Sequence, residues 1–233
     1  MDAQNRENFL NKLAERMGRP RQLVPEPMPA PLNDYATTRL TDLDPQALCQ
    51  TFIESAKAMM VDVIETNEAE AKSAVLSACE KYGGGPIILT GDERLEQLGI
   101  TQDVQANYDA DIWLPQNGEE NLKHAEQANI GINYAEYGLA ESGGIVLFSG
   151  KDKGRSVSLL PEKSIVVVRK SLVLPRVAQL AKILHDKAVL GERMPSCVNI
   201  ISGPSSTADI ELVKVVGVHG PTTKVYVVID DLA

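Results

Sequence analysis

The chain has few of the residues that would tie it to a metal, an oxidising compartment or a nucleic acid. Its three cysteines, Cys49, Cys79 and Cys197, stand far apart, with no CxxC or other metal-ligand spacing. They read as buried or free thiols of a reducing compartment, and they fall short of the thiolate set an iron–sulfur cluster normally needs. With one Trp and three Phe there is no stacking platform for bases. A formal charge of −9 opposes general binding to a phosphate backbone, although it leaves room for a local basic pocket. Apolar runs stay far below the roughly 20 residues that cross a bilayer. The polar opening MDAQNRENF has no signal-peptide core, so a cytoplasmic protein without a membrane span is expected. No GxGxxG opens a βα unit, Gly83-Gly84-Gly85 precedes a strand, and neither a P-loop nor a GxSxG elbow is present.

What is there is a soluble α/β pattern. Residues 5–17 carry Phe9, Leu10, Leu13 and Met17 at helical spacing, stopped by Gly18 and followed by five prolines between Pro20 and Pro31. This is a helix on an extended tether, an arm over residues 1–41 that packs on its own domain or grips a neighbouring subunit, which leaves a homo-oligomer open. The domain, 42–233, begins with Asp44-Pro45 as a helix start. That helix runs to about residue 60, with Leu48, Phe52, Ile53 and Met59 inward. Helices are then expected over 68–82, from 92 to near 99, over 121–128 and over 174–190. They alternate with strands at 61–65, 86–90, 110–114, 130–135, 144–148, 156–160, 165–169, 198–201 and 224–229. Alternation of this kind predicts a largely parallel sheet, with 130–135 and 144–148 as its central strands.

Three stretches are rich enough in chemistry to be candidate sites. In residues 134–149, YAEYGLAESGGIVLFS, Glu141 and Ser142 precede Gly143, Gly144 and a fully apolar run. A carboxylate at the doorway of a buried strand needs a partner, a ligand or solvent, so Glu141 is either a site residue or a solvated turn residue. In IISGPSSTADIE, Gly203 leads into Ser205, Ser206, Thr207 and Asp209. If a helical turn begins after Ser206, these hydroxyls and backbone N–H groups form an anion site, or they simply cap the helix. In VGVHGP, Gly217, Gly220 and Pro221 shape a turn around His219, an acid, base or donor near neutrality, or else a histidine that holds the turn. Arg155, behind the polar loop SGKDKG, is the best single cation for a substrate carboxylate. No residues stand at metal-ligand spacing.

The segments YAEYGLAESGGIVLF, RSVSLLPEKSIVVVRKS, GPSSTADIELVKVVGVHGP and YVVIDD together resemble the lactate-utilisation protein C family, the small members of the LUD-domain group, along the whole chain. The resemblance implies a three-layer α/β fold like that of ribose-5-phosphate isomerase, glucosamine-6-phosphate deaminase and CoA-transferases. It also implies a role in oxidising L-lactate to pyruvate with a cysteine-rich partner and an iron–sulfur partner. The clusters would then sit in those partners, with no cofactor in this chain. In CoA-transferase relatives of the fold a Glu near a Gly-rich turn is the nucleophile, which makes Glu141 the catalytic candidate of an alternative, free-standing acyl- or CoA-transferase or sugar-phosphate isomerase.

Overall fold

The computed structural model describes residues 2–24, 26–27, 29–207 and 215–232. The chain divides into two units between Asp34 and Tyr35. In the first, helix α1 (Ala3–Arg16) starts where the Asp2 carboxylate accepts a hydrogen bond from the Gln4 N–H. The segment after it turns back, and Arg21 pairs with Glu7 on the helix. Phe9, Leu13 and Met17 remain exposed.

The second unit begins with α2 (Tyr35–Thr38), α3 (Pro45–Ala58) and β1 (Val61–Asn67), then α4 (Ala71–Lys81) and β2 (Ile87–Thr90). Next come α5 (Glu93–Gln97), α6 (Ile100–Asn107), β3 (Ala110–Trp113), α7 (Glu120–Gln127) and β4 (Ile130–Tyr134). After these lie β5 (Tyr137–Leu139), β6 (Gly144–Ser149), α8 (Ser156–Leu159), β7 (Lys163–Arg169) and β8 (Val173–Leu174). The last elements are α9 (Val177–Val189), β9 (Cys197–Ile201), β10 (Ser206–Thr207), β11 (Val215–Val216) and β12 (Thr223–Asp230).

Six parallel strands, in the order β1-β12-β7-β4-β2-β3, make the central sheet. Alternate residues serve opposite faces, as the pleat requires. Ile87, Leu89, Ile130, Ile132, Ile165, Val167, Val225 and Val227 pack against α4, α5 and α6. Val166, Val168, Tyr226 and Val228 pack under α3, with Phe52 stacked on Tyr226 at 5.6 Å. Ile88 meets α7 and α8. The expected α/β arrangement with a largely parallel sheet is therefore the observed one.

Several expectations are corrected. The run 144–148 is not a central strand: β6 lies in a separate four-stranded sheet, β8-β5-β6-β9, antiparallel to both of its neighbours. That sheet is covered by α3 on one side and by Leu180 and Leu184 of α9 on the other. Burial on both faces produced the apolar run that imitates a central parallel strand. Residues 156–159 are helix rather than strand. The cause is tertiary: α8 lies so close to Gly131 that a Cβ there would sit 1.9 Å from the Val157 carbonyl oxygen. Met59 is exposed, because α3 ends at Ala58 and Met60 turns the chain at φ 63°. Residues 206–207 form a strand rather than a helical start, paired antiparallel with 215–216. Asp209 lies outside the described residues. Helix α6 adds an element the sequence pattern did not signal.

Candidate functional site

The buried strand β2 ends at Thr90 and the buried strand β4 at Asn133-Tyr134. From β2 the chain passes to helices on one face of the sheet. From β4 it passes to the small sheet on the other. Two adjacent parallel strands whose continuations part in opposite directions leave a crevice at their carboxyl ends, the usual place for a ligand in an open α/β sheet. That crevice is lined here by Thr90, Asn133 and Tyr134 from the strand ends and by Ser149 and Asn199 from the small sheet. Lys153, Arg155 and Ser158 close it from the 150–155 loop and α8. Thr90 is 4% exposed, and its Oγ1 has no hydrogen-bond partner among the described residues. An unpaired buried hydroxyl costs about 1–3 kcal/mol, and groups of this kind call for a ligand or water.

One rim of the crevice is a four-charge network. The Arg94 guanidinium donates to Asp92 through Nε at 2.9 Å and Nη2 at 2.6 Å. It also donates to Glu136 through Nη1 at 2.9 Å and Nη2 at 2.6 Å. Lys153 Nζ joins the same carboxylates, 2.8 Å from Asp92 Oδ2 and 3.0 Å from Glu136 Oε1. Burial by itself would raise the Asp92 pKa, but the hydrogen bonds and charges of Arg94 and Lys153 outweigh it and hold the carboxyl at about 2. Burial opposes the Glu136 charge in the same way, and the same two cations win, so that its pKa is lowered. The Arg94 guanidinium lies 4.3 Å from the centre of the Tyr134 ring. Tyr134 in turn accepts at its hydroxyl from Arg169 Nε at 2.8 Å. The carboxyl edge of the sheet thus carries a balanced set of charges with an amine, Lys153, supplied by the 150–155 loop.

The residues singled out from sequence fall in three places. Arg155 lines the crevice, and so do Tyr134 and Leu147 to Ser149, the two ends of the stretch 134–149. The middle of that stretch does not. Glu141 pairs with Arg176 Nε at 2.6 Å and Arg39 Nε at 3.4 Å, while Ser142 Oγ accepts from Gly144 N–H. Gly143, at φ 60°, lies so close to α3 that a Cβ would come within 2.2 Å of the Ala56 nitrogen. Gly203 abuts the Met59 carbonyl in the same region. Gly143 therefore admits the end of α3, while Gly144 faces the hydroxyls of Ser142 and Ser202.

The structure does bring together the GPSS and GVHGP stretches. Ser205 N–H donates to the Pro221 carbonyl at 2.9 Å, and Gly217 N–H donates to the Ser205 carbonyl at 2.8 Å. Gly220 faces the Ser205 side chain, and His219 is exposed. This cluster, with Ser206 and Thr207 on β10, sits where β7 and β12 begin, since Thr222 N–H bonds the Glu162 carbonyl there. It occupies the amino edge of the sheet, away from Arg155. Thr90, Asp92, Arg94, Asn133, Glu136 and Lys153 were not singled out from sequence. Their signal was a polar residue directly after a buried run, as in PIILTGDER and IGINYAE.

The cysteines are free. Burial pushes the Cys49 thiol up to about 11 and the Cys79 thiol up to about 12. Among the described residues no helix is long and apolar enough to cross a membrane.

Comparison with known proteins places this geometry in a group. The chain is 55% identical over 228 residues to an uncharacterised protein, YkgG, of Escherichia coli, covering 97% of this chain and 99% of that one. It is 41% identical to lactate utilization protein C of Halalkalibacterium halodurans, over 98% of this chain and 99% of the other. It is 38% identical to lactate utilization protein C of Bacillus subtilis, over 98% and 97%. A crystal structure of a DUF162 family protein from Deinococcus radiodurans superposes with a TM-score of 0.59 at 19% identity, covering 81% of this chain and 99% of that one, a likeness of fold. The LUD domain profile matches residues 49–229, a span that takes in both sheets and the crevice between β2 and β4, and the chain belongs to the LUD domain family.

Proposed function

We propose that this chain serves L-lactate utilisation, holding the small 2-hydroxy carboxylate in the β2/β4 crevice. The electrons of its oxidation to pyruvate leave through cysteine-rich and iron–sulfur partner proteins in the cytoplasm. The reading is supported by near full-length identity to relatives named lactate utilization protein C. The observation that carries the site is the unpaired Thr90 hydroxyl, buried beside Lys153 and Arg155. A carboxylate gains a charge-assisted pair from Arg155, and the 2-hydroxyl finds Thr90, Asn133 and Ser158 as neutral partners. Iron–sulfur clusters, held by the partners, supply one-electron acceptors.

The crevice has about 10 Å³ of free volume, roughly that of one water. Substrate therefore enters as the 150–155 loop lifts, with Lys153 exchanging the carboxylates of Asp92 and Glu136 for that of the ligand. In this reading the chain positions the substrate, and Glu141, held by two arginines outside the crevice, does no chemistry.

The test is genetic and kinetic. Deleting the gene abolishes growth on L-lactate. Complementation with Thr90→Val or Arg155→Ala restores it poorly, and in the co-purified complex either variant raises the KM for lactate by about tenfold. Full growth of the deletion strain, with no paralogue to cover for it, would refute the proposal. Glu141→Gln leaves lactate oxidation within about twofold of wild type if the chain works this way. A loss of several orders of magnitude with the fold intact would instead favour the free-standing acyl-transferase or isomerase alternative.

A further inference from the structure

Beside the crevice, and sharing Phe148, Ser149 and Lys153 with it, lies a second cavity of about 420 Å³. That volume is ordinary for a small-molecule site. Its lining includes the apolar side chains Phe148, Met194 and Pro195. The same lining carries Lys151, Lys153, Lys187 and Arg193 together with Glu136 and Asp152. Of the two carboxylates, Glu136 is already neutralised by Arg94 and Lys153. Asp152 stands 3.7 Å from Lys151. Lys187 pairs with Glu192 at 2.6 Å, and Arg193 forms no ion pair among the described residues. Lys153 is itself neutralised by Asp92 and Glu136, so Arg193 is the cation left without an ion pair, and the exposed pairs of Lys187 with Glu192 and Lys151 with Asp152 are weak enough for an anion to exchange into.

Lactate, a small monoanion, does not need this volume. The combination of an aromatic side chain with a guanidinium and an amine matches a ring that carries phosphate: aromatic surface takes the ring, and the planar guanidinium takes phosphate oxygens in pairs. We propose that the cavity between β6, the 150–153 loop and the 193–196 segment binds a nucleoside diphosphate or an organic phosphate of that kind. Its phosphates rest on Arg193 and Lys187, and its ring lies along Phe148. The shared wall sets this ligand end to end with whatever occupies the crevice. The inference goes beyond the lactate reading and does not rest on it.

The experiment is calorimetric titration of the full-length chain with ADP, with pyrophosphate and with adenosine. ADP binds, and the two fragments bind at least about tenfold more weakly, since each keeps only one half of the contacts. Arg193→Ala and Lys187→Ala, both at the surface, each weaken ADP by about tenfold, and raising salt weakens it further. Thr90→Val, on the crevice side, leaves ADP binding unchanged. Absence of ADP binding at millimolar concentration overturns the proposal, as does unchanged binding in the Arg193→Ala, Lys187→Ala double variant. Pyrophosphate binding as tightly as ADP overturns the role given to the ring. Growth and KM on lactate read the crevice alone, so failure here is distinguishable from failure there.

Discussion

Lys224 is 1% exposed, and its ammonium donates to one partner, Ser164 Oγ at 3.0 Å. A buried ammonium with one hydrogen bond is poorly solvated, and burial lowers its pKa from 10.5 to about 8. Between those values the unfolded chain binds a proton that the folded chain has released, so this residue makes stability rise with pH across that window. The buried thiols of Cys49 and Cys79 act in the opposite sense above pH 9, because the unfolded state loses their protons first. The informative quantity is therefore the stability of wild type minus that of Lys224→Met, measured by urea unfolding. That difference should rise by about 3 kcal/mol from pH 8 to pH 10.5. A flat difference would mean that the amine is solvated.

At the scale of elements, the contact between β4 and α8 decides the shape of the crevice. Gly131 leaves no room for a side chain, since even a Cβ would overlap the Val157 carbonyl at 1.9 Å. Asn133, two residues on and on the same face, reaches the same carbonyl with its side-chain amide at 3.5 Å. Gly131→Ala must push α8 outward and carry Ser158 and Arg155 with it, at a cost of about 2–4 kcal/mol. The expected result is a lower Tm and, under the proposed lactate-holding role, a higher KM for lactate. An unchanged Tm would show that the helix yields freely. The segment SVSL, a plausible strand by composition, packs at that contact as a short helix.

At the scale of the whole molecule, Asp92, Arg94, Glu136 and Lys153 fasten three separate connections, those after β2, after β4 and after β6. The Asp92 carboxyl is held at about 2 against an ordinary 3.8. Its contribution is complete above the ordinary value and is lost as pH falls from about 4 towards 2. Asp92→Asn should lower stability at neutral pH by at least about 2 kcal/mol and flatten the acid limb of the unfolding curve. An acid limb identical to that of wild type would show that the network adds nothing to the fold.

Helices and strands of the domain were largely legible along the chain, because their signals are local. Asp44-Pro45 starts α3, the runs at 87–90, 130–134, 163–169 and 223–230 are buried strands, and Gly191 follows α9. The segments quoted for the family resemblance also lie in one chain order and needed no geometry. The strand order β1-β12-β7-β4-β2-β3 was not legible, since parallel pairing joins residues far apart in sequence and leaves no periodic trace. Only that order sets Thr90 beside Asn133 and brings Lys153 to Asp92 and Glu136. It also carries Glu141 to Arg176 and the Ser205–His219 cluster to the opposite edge of the sheet. The sequence by itself determined which residues are buried in strands and which polar groups follow them. Tertiary structure decided which of those groups meet, because the pairing of distant strands is fixed by burial of the whole sheet and by no single segment.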